Sequence, residues 1–172
     1  MRRSIIAPIL CVLSSLPLLV ALSACKKQEP RAAQSADTSH ASALDPTPVI
    51  RAAADSIVAA FGRQDSAGYF SRFAPEASFI FHTTARRLNG RAEYEAEWQS
   101  WKSAGFRVRS CRSSDQRVQV FGDVAIFTHS VRTEVTTREG DDTLVERETI
   151  IFQRQNDRWQ AVHEHLSPQP AS

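Results

Sequence analysis

The sequence predicts a single α+β domain, with helices first and a mainly antiparallel sheet after them. Three observations lead there. Apolar residues recur at helical spacing between residues 46 and 62 and again between 91 and 104. From Phe106 onward, runs rich in Val, Ile, Thr and Phe follow one another, separated by Gly122-Asp123, Gly140-Asp141-Asp142 and Asn156-Asp157. The size agrees with one domain and short extensions: 172 residues, 42% hydrophobic and 23% charged. That balance excludes a disordered chain, and 6 Gly with 8 Pro exclude a collagen-like one.

Taken in order, the chain opens on basic Met1-Arg2-Arg3-Ser4, and an apolar stretch runs from Ile5 to Ala24. A basic head, an apolar middle and a small-residue exit describe a secretory signal peptide. The closing Leu22-Ser23-Ala24-Cys25 resembles the lipobox of bacterial lipoproteins. This implies cleavage after residue 24 and a lipid on Cys25. It also implies a place in the bacterial cell envelope, on the outer membrane facing the periplasm, since Lys26 is not the retention-associated Asp. An uncleaved anchor is the alternative, weakened by Pro8 and Pro17 inside the stretch. Residues 25–45, rich in Ala, Ser, Gln and charge, read as a solvated tether.

The folded part is expected over 46–168, with a tail at 169–172. Pro46-Thr47-Pro48 opens a helix with Val49, Ala53, Ile57, Ala60 and Phe61 at helical spacing, and Gly62 supplies its stop. A second helix spans Ser66 to Phe73. Strands follow at 77–82 and 86–88, the latter turning at Asn89-Gly90. A third helix covers Arg91–Ala104, with Tyr94, Trp98 and Trp101 on one side. The remaining strands are expected at 106–112, 117–121, 124–137, 143–154 and 158–167.

Charge narrows the function classes. Arg2 and Arg3 fall in the leader, which reduces the basic count from 21 to 19 against 19 acidic residues. From Pro46 onward, 15 Arg and one Lys face 16 acidic side chains, with no basic tract. The phosphate-neutralising footprint of a nucleic-acid binder is missing, so membrane attachment falls to the lipid on Cys25. Of the three cysteines, Cys11 lies in the leader and Cys25 takes the lipid. Cys111 is left as a small buried apolar residue.

Three stretches carry a family resemblance: Asp65 to Ala77, Leu88-Asn-Gly-Arg-Ala-Glu-Tyr94, and Phe152 to Ser167. The domain resembles the nuclear transport factor 2-like superfamily, in its SnoaL-like and ketosteroid-isomerase-like branch. The resemblance implies a cone-shaped fold: three N-terminal helices and a strongly curved, mostly antiparallel sheet wrapped around a pocket. It also implies a homodimer formed through the outer sheet face. The isomerase base position falls on Phe81, the first-helix tyrosine on Ile57 and the oxyanion-hole acid on Ile150. None of these can transfer a proton, so that mechanism is not carried over. The last stretch is also similar to the hub domain of calmodulin-dependent kinases, whose pocket arginines fall on Ile150 and Leu166.

The same register turns Thr128, Ser130, Arg132 and Glu134 inward on one strand, Glu148 and Ile150 on the next, and Gln160, Val162, Glu164 and Leu166 on the last. The expected ligand pocket is therefore Tyr94, Trp98, Ser130, Arg132, Glu148 and Glu164. Arg132 is expected within ion-pair reach of Glu148 or Glu164, because a carboxylate in an aromatic cavity must find a cation or keep a proton. His163 and His165 are expected to point away. With His82 they suggest a metal site, but that face is the outer one, so no metal and no cofactor are expected. Two functions stay open. One is a lipid-anchored, dimeric binding or assembly module for a small apolar or mixed-polarity ligand. The other is an isomerase, hydratase or cyclase acting on a small hydrophobic carbonyl compound through Glu148, Glu164 or a histidine.

Overall fold

A computed structural model describes residues 45–170. The expected leader, Cys25 and almost all of the tether lie outside the described residues. Helix α1, Thr47–Gly62, buries Ile50, Ala54, Ile57, Val58 and Ala60, a stripe set by the 3.6-residue period. Helix α2, Ser66–Phe70, is capped by Asp65, whose side chain accepts from the Gly68 N–H at 2.9 Å. It ends earlier than its apolar pattern suggests, because Phe73 already belongs to strand β1, Phe73–Phe81.

Pro75 is tolerated inside β1 because the pairing with the last strand slips between Phe73 and Ser78, leaving the proline outside the ladder. Strand β2, Leu88–Asn89, pairs with β1 and leads through Gly90 into helix α3, Arg91–Ser103. Gly90 takes a φ of 119°, where a side chain would be strained. Four long strands complete the chain: β3, Arg107–Phe121; β4, Val124–Thr137; β5, Gly140–Gln155; and β6, Arg158–Pro168. Asn156 and Asp157, at φ 49° and 60°, form the tight turn between the last two.

The sheet order is β2-β1-β6-β5-β4-β3. Three expectations need correction. The third helix follows β1 and β2 in the chain instead of preceding the sheet. The sheet is mixed, because β1 and β6 run parallel while the other neighbours are antiparallel. The two strands expected at 106–112 and 117–121 are one strand. It bends at register shifts after Val108 and Ser114, the second passing Asp115 at φ 52°.

Helices α1–α3 cover the inner face. The core there is largely aromatic: Tyr69, Phe73, Phe79, Phe127, Phe152 and Trp98 are almost fully buried. Phe79 sits at its middle, with ring centroids 5.1 Å from Phe73 and 4.8 Å from Tyr94. Phe79→Ala should therefore lower unfolding free energy by about 3–5 kcal/mol in urea titration. A loss under about 1 kcal/mol would mean that the core is not packed as described.

Candidate functional site

The inner face of β4 is set by strict alternation. Ala125, Phe127, His129, Val131, Thr133 and Val135 are buried, and the ladder to β5 runs without a register shift. This reverses the expected parity of β4. Ser130 and Arg132 lie on the outer face, where Arg132 is exposed opposite Arg112 of β3 and Val145 of β5. Arg132 forms no ion pair with either glutamate. The physical reason is the period: Phe127, Val131 and Val135 must share the apolar side, which carries His129 inward with them.

On β5 and β6 the alternation brings Glu148 and Glu164 inward, and both are nearly fully buried. Glu148 pairs across the ladder with His129 on one side and Leu166 on the other, while Glu164 pairs with Ile150 and with Phe79. The two glutamates are thus diagonal neighbours on adjacent strands, and a side-chain hydrogen bond links them. They border a cavity of about 390 Å³ whose walls include Ile57, Phe61, Phe81, Trp101, Val131 and Leu166. Tyr69 and Tyr94 also line it, and exposed Thr83, Ala104, Arg138 and Glu139 stand at its rim. Trp98 is buried behind it, stacked on Tyr69 at 5.7 Å, with no hydrogen-bond partner for its indole N–H among the described residues.

The polar atoms are connected. The Tyr69 hydroxyl donates to Glu164 Oε2 at 2.6 Å, and its ring meets that of Tyr94 edge-on with centroids 5.9 Å apart. His129 Nε2 lies 2.9 Å from Glu148 Oε2, off the line of a straight N–H bond, so the contact is bent and mainly electrostatic. Its Nδ1 meets Ser113 Oγ at 2.7 Å. The third inward glutamate, Glu146, meets His82 Nε2 at 2.6 Å.

Burial governs the protonation of these groups. It pushes Glu148 up to about 7, helped by the charge of Glu146 and opposed by the hydrogen bond with Glu164. Burial, then the charge of Glu148, raises Glu164 well above the carboxylate range. Two carboxyls in contact in an apolar space keep at least one proton between them. Burial raises Tyr69 and Tyr94, which stay protonated, and lowers His129 to about 4, which stays neutral. Cys111 is half-buried on the cavity wall, where burial pushes its thiol up to about 12, an unreactive state.

His163 and His165 stand on the other face of β6. His163 Nδ1 meets Ser78 Oγ at 2.9 Å, and His165 is exposed beside Ile80. No group of three or more metal-ligating side chains occurs among the described residues. Reading the residues alone missed Tyr69, His129, Ser113 and Glu146. The apolar parity of Phe127, Val131 and Val135 was the available signal for His129, and its i, i+2 partners on β5 would have marked Glu146. Nothing in the local pattern of α2 separates Tyr69 from ordinary core.

Residues 50–172 match the model of the SnoaL-like domain. The chain belongs to the SnoaL-like domain family. Solved structures share its nuclear transport factor 2-like (NTF2-like) fold. A ketosteroid isomerase-like protein from Erwinia carotovora atroseptica is 16% identical at a TM-score of 0.64, matching over 75% of this chain and 100% of that one. A candidate dehydratase of the NTF2-like family from Streptomyces avermitilis is 20% identical at 0.61, over 74% and 100%. An NTF2-like protein of unknown function from Pseudomonas putida KT2440 is 21% identical at 0.58, over 70% and 84%. At such identities the likeness shows the fold alone. No curated protein matches the chain.

The carboxyl pair of this SnoaL-like domain ties stability to pH. Glu148 and Glu164 hold protons more tightly folded than unfolded, where they titrate near 4.5. Their contribution is complete below that value and is lost as pH rises, for Glu148 through about 7. His129 acts in the opposite sense, costing stability as pH falls from 6.5 towards about 4. Glu164→Gln keeps the acceptor for Tyr69 and removes the titration. Its unfolding free energy should fall less between pH 5 and pH 8 than that of the unmodified protein. Parallel pH profiles from urea titration would show that Glu164 is not held protonated.

Proposed function

We propose that this SnoaL-like domain binds a small, mostly apolar molecule bearing a carbonyl or hydroxyl group and exchanges a proton with it through Glu148 and Glu164. The observation that carries this reading is the pair of carboxyls in contact in an apolar cavity, where burial pushes Glu148 up to about 7 and Glu164 well above the carboxylate range. A carboxyl that keeps its proton at pH 7 donates a hydrogen bond to a carbonyl oxygen. A carboxylate poised near 7 both takes and returns a proton. The cavity excludes charged groups of any size and suits a compact ring system. In the isomerase class, a proton leaves the carbon next to the carbonyl for Glu148, the enolate oxygen is held by the protonated carboxyl of Glu164, and Glu148 returns the proton to a different carbon as the double bond shifts. Ile57 and Phe81, at the family's tyrosine and base positions, act as walls in this scheme, so the pair supplies the chemistry instead.

The second reading is a binding module that catalyses nothing, favoured by the apolar side chains at those same positions. We place the domain in the bacterial cell envelope on a lipid carried by Cys25, paired with a second copy through the outer sheet face. The lipobox-like Leu22-Ser23-Ala24-Cys25 supports the first part, and the apolar Ile80 on the outer face supports the second.

Exchange chemistry separates the two readings. In D₂O, small cyclic ketones should gain deuterium beside the carbonyl, followed by NMR, and Glu148→Gln should slow this by about 10²-fold or more. Quenching of Trp101 fluorescence by the same ketones without any exchange would leave only the binding module. Neither quenching nor exchange would refute both. For the anchor, Cys25→Ser should leave the protein unprocessed or released from membranes in detergent partitioning, and unchanged attachment would overturn the lipoprotein reading.

A further inference from the structure

Behind the glutamate pair a line of hydrogen bonds runs to the surface of α1, and no step of the proposed chemistry uses it. Arg51 Nη1 donates to Gln116 Oε1 at 2.5 Å. This fixes the amide so that Gln116 Nε2 donates both to Asp55 Oδ1 at 2.8 Å and to Ser113 Oγ at 2.9 Å. The Ser113 hydroxyl accepts from the amide and lies 2.7 Å from His129 Nδ1, to which it donates when the ring carries its proton on Nε2. The ring of His129 is wholly buried, and its other nitrogen, Nε2, faces Glu148 Oε2 at 2.9 Å.

We propose that His129 is a positioning residue whose tautomer, set from the surface through Arg51, Asp55, Gln116 and Ser113, assigns the two glutamates different roles. A neutral imidazole that accepts at Nδ1 carries its proton on Nε2. That nitrogen lies 2.9 Å from Glu148 Oε2, too bent for a hydrogen bond, and the positive charge of its proton favours the ionised form of Glu148 by proximity alone. The shared proton therefore resides on Glu164, whose Oε2 accepts from the Tyr69 hydroxyl. Glu148 is the base and Glu164 the acid. Other groups also face the pair: the charge of Glu146 raises Glu148, and the Tyr69 hydroxyl lowers Glu164, so both act against the bias from His129. Tyr94 from α3 and the Cys111 thiol from β3 are neutral, and Glu146 of β5 is engaged by His82. Asp55 and Arg51 act on it only through the chain.

The inference rests on the pair exchanging protons with a ligand only for its consequence, since the tautomer and the titration are read without any ligand. In the full chain labelled with ¹⁵N-histidine, His129 Nδ1 should resonate as an unprotonated nitrogen and Nε2 as a protonated one. The ¹³C carboxyl signal of Glu148, identified by its loss in Glu148→Gln, should then titrate below that of Glu164. His129→Leu should raise the Glu148 midpoint by about one pH unit. His129→Gln, which offers an amide N–H near the place of Nε2, should restore it. Ser113→Ala should allow both tautomers. A protonated Nδ1 in the unmodified protein overturns the inference, as does a Glu148 midpoint that His129→Leu leaves in place. Should His129→Leu not fold, the tautomer of the unmodified protein and the effect of Ser113→Ala decide the question alone. A ligand-free result of either kind leaves the ketone exchange experiment to judge the wider reading separately.

Discussion

Glu148 and Glu164 meet inside an aromatic enclosure with no lysine or arginine at the contact. An unpaired charge there would cost several kcal/mol, so the contact survives by keeping hydrogen on oxygen instead of recruiting a counter-ion. The rest of the interior is arranged around that condition. Tyr69 supplies a donor to one carboxyl, His129 faces the other, and the helices seal the space so that the condition holds. A basic residue introduced at the contact would ionise the pair and remove the property that makes the cavity chemically interesting. The outward turn of Arg132 is therefore part of the design of the site and no defect in it.

The sheet makes this arrangement possible by being regular where the polar groups stand and irregular elsewhere. Strands β4 and β5 pair without a slip along their whole length, so His129, Glu146 and Glu148 keep one parity and one face. The bends fall on β3, on the early part of β1 and in the middle of the β5–β6 ladder. Curvature is thus taken up around the site, and the diagonal spacing of Glu148 and Glu164 is set by the ordered segment beyond the β5–β6 slip.

Much of this was legible in the residues, and what escaped did so for definable reasons. The helical periods of α1 and α3, the turn signals at Gly122-Asp123 and Asn156-Asp157, and the bounds of β4 are local properties. Local reasoning finds them. Glu148 and Glu164 were placed inward because alternation from Ile150 and Leu166 leaves no other choice. Ser130 and Arg132 were misplaced because a register borrowed from a fold family was allowed to outweigh the odd-numbered apolar set Phe127, Val131 and Val135. The continuous β3 was read as two strands because its bulge at Asp115 looks like a break. The parallel contact of β1 with β6 and the bond from Tyr69 to Glu164 join residues far apart in the chain, and no local pattern encodes them.

That parallel contact also bears on how the domain is made. Strand β6 is the last of the six strands in chain order, yet it lies at the centre of the sheet, between β5 and the much earlier β1. Until it docks, β1 and β2 have no strand ladder to the β3–β5 meander, and α2 and α3 have only part of a surface to cover. The meander can zip hairpin by hairpin, but the cone closes in one late, long-range event, whose loop-closure entropy makes folding slow relative to a helical domain of this size. Chains in which β6 has not yet docked are therefore open intermediates that expose the aromatic core. The two glutamates first meet in that same closing step, so an acid site never exists in a half-built chain.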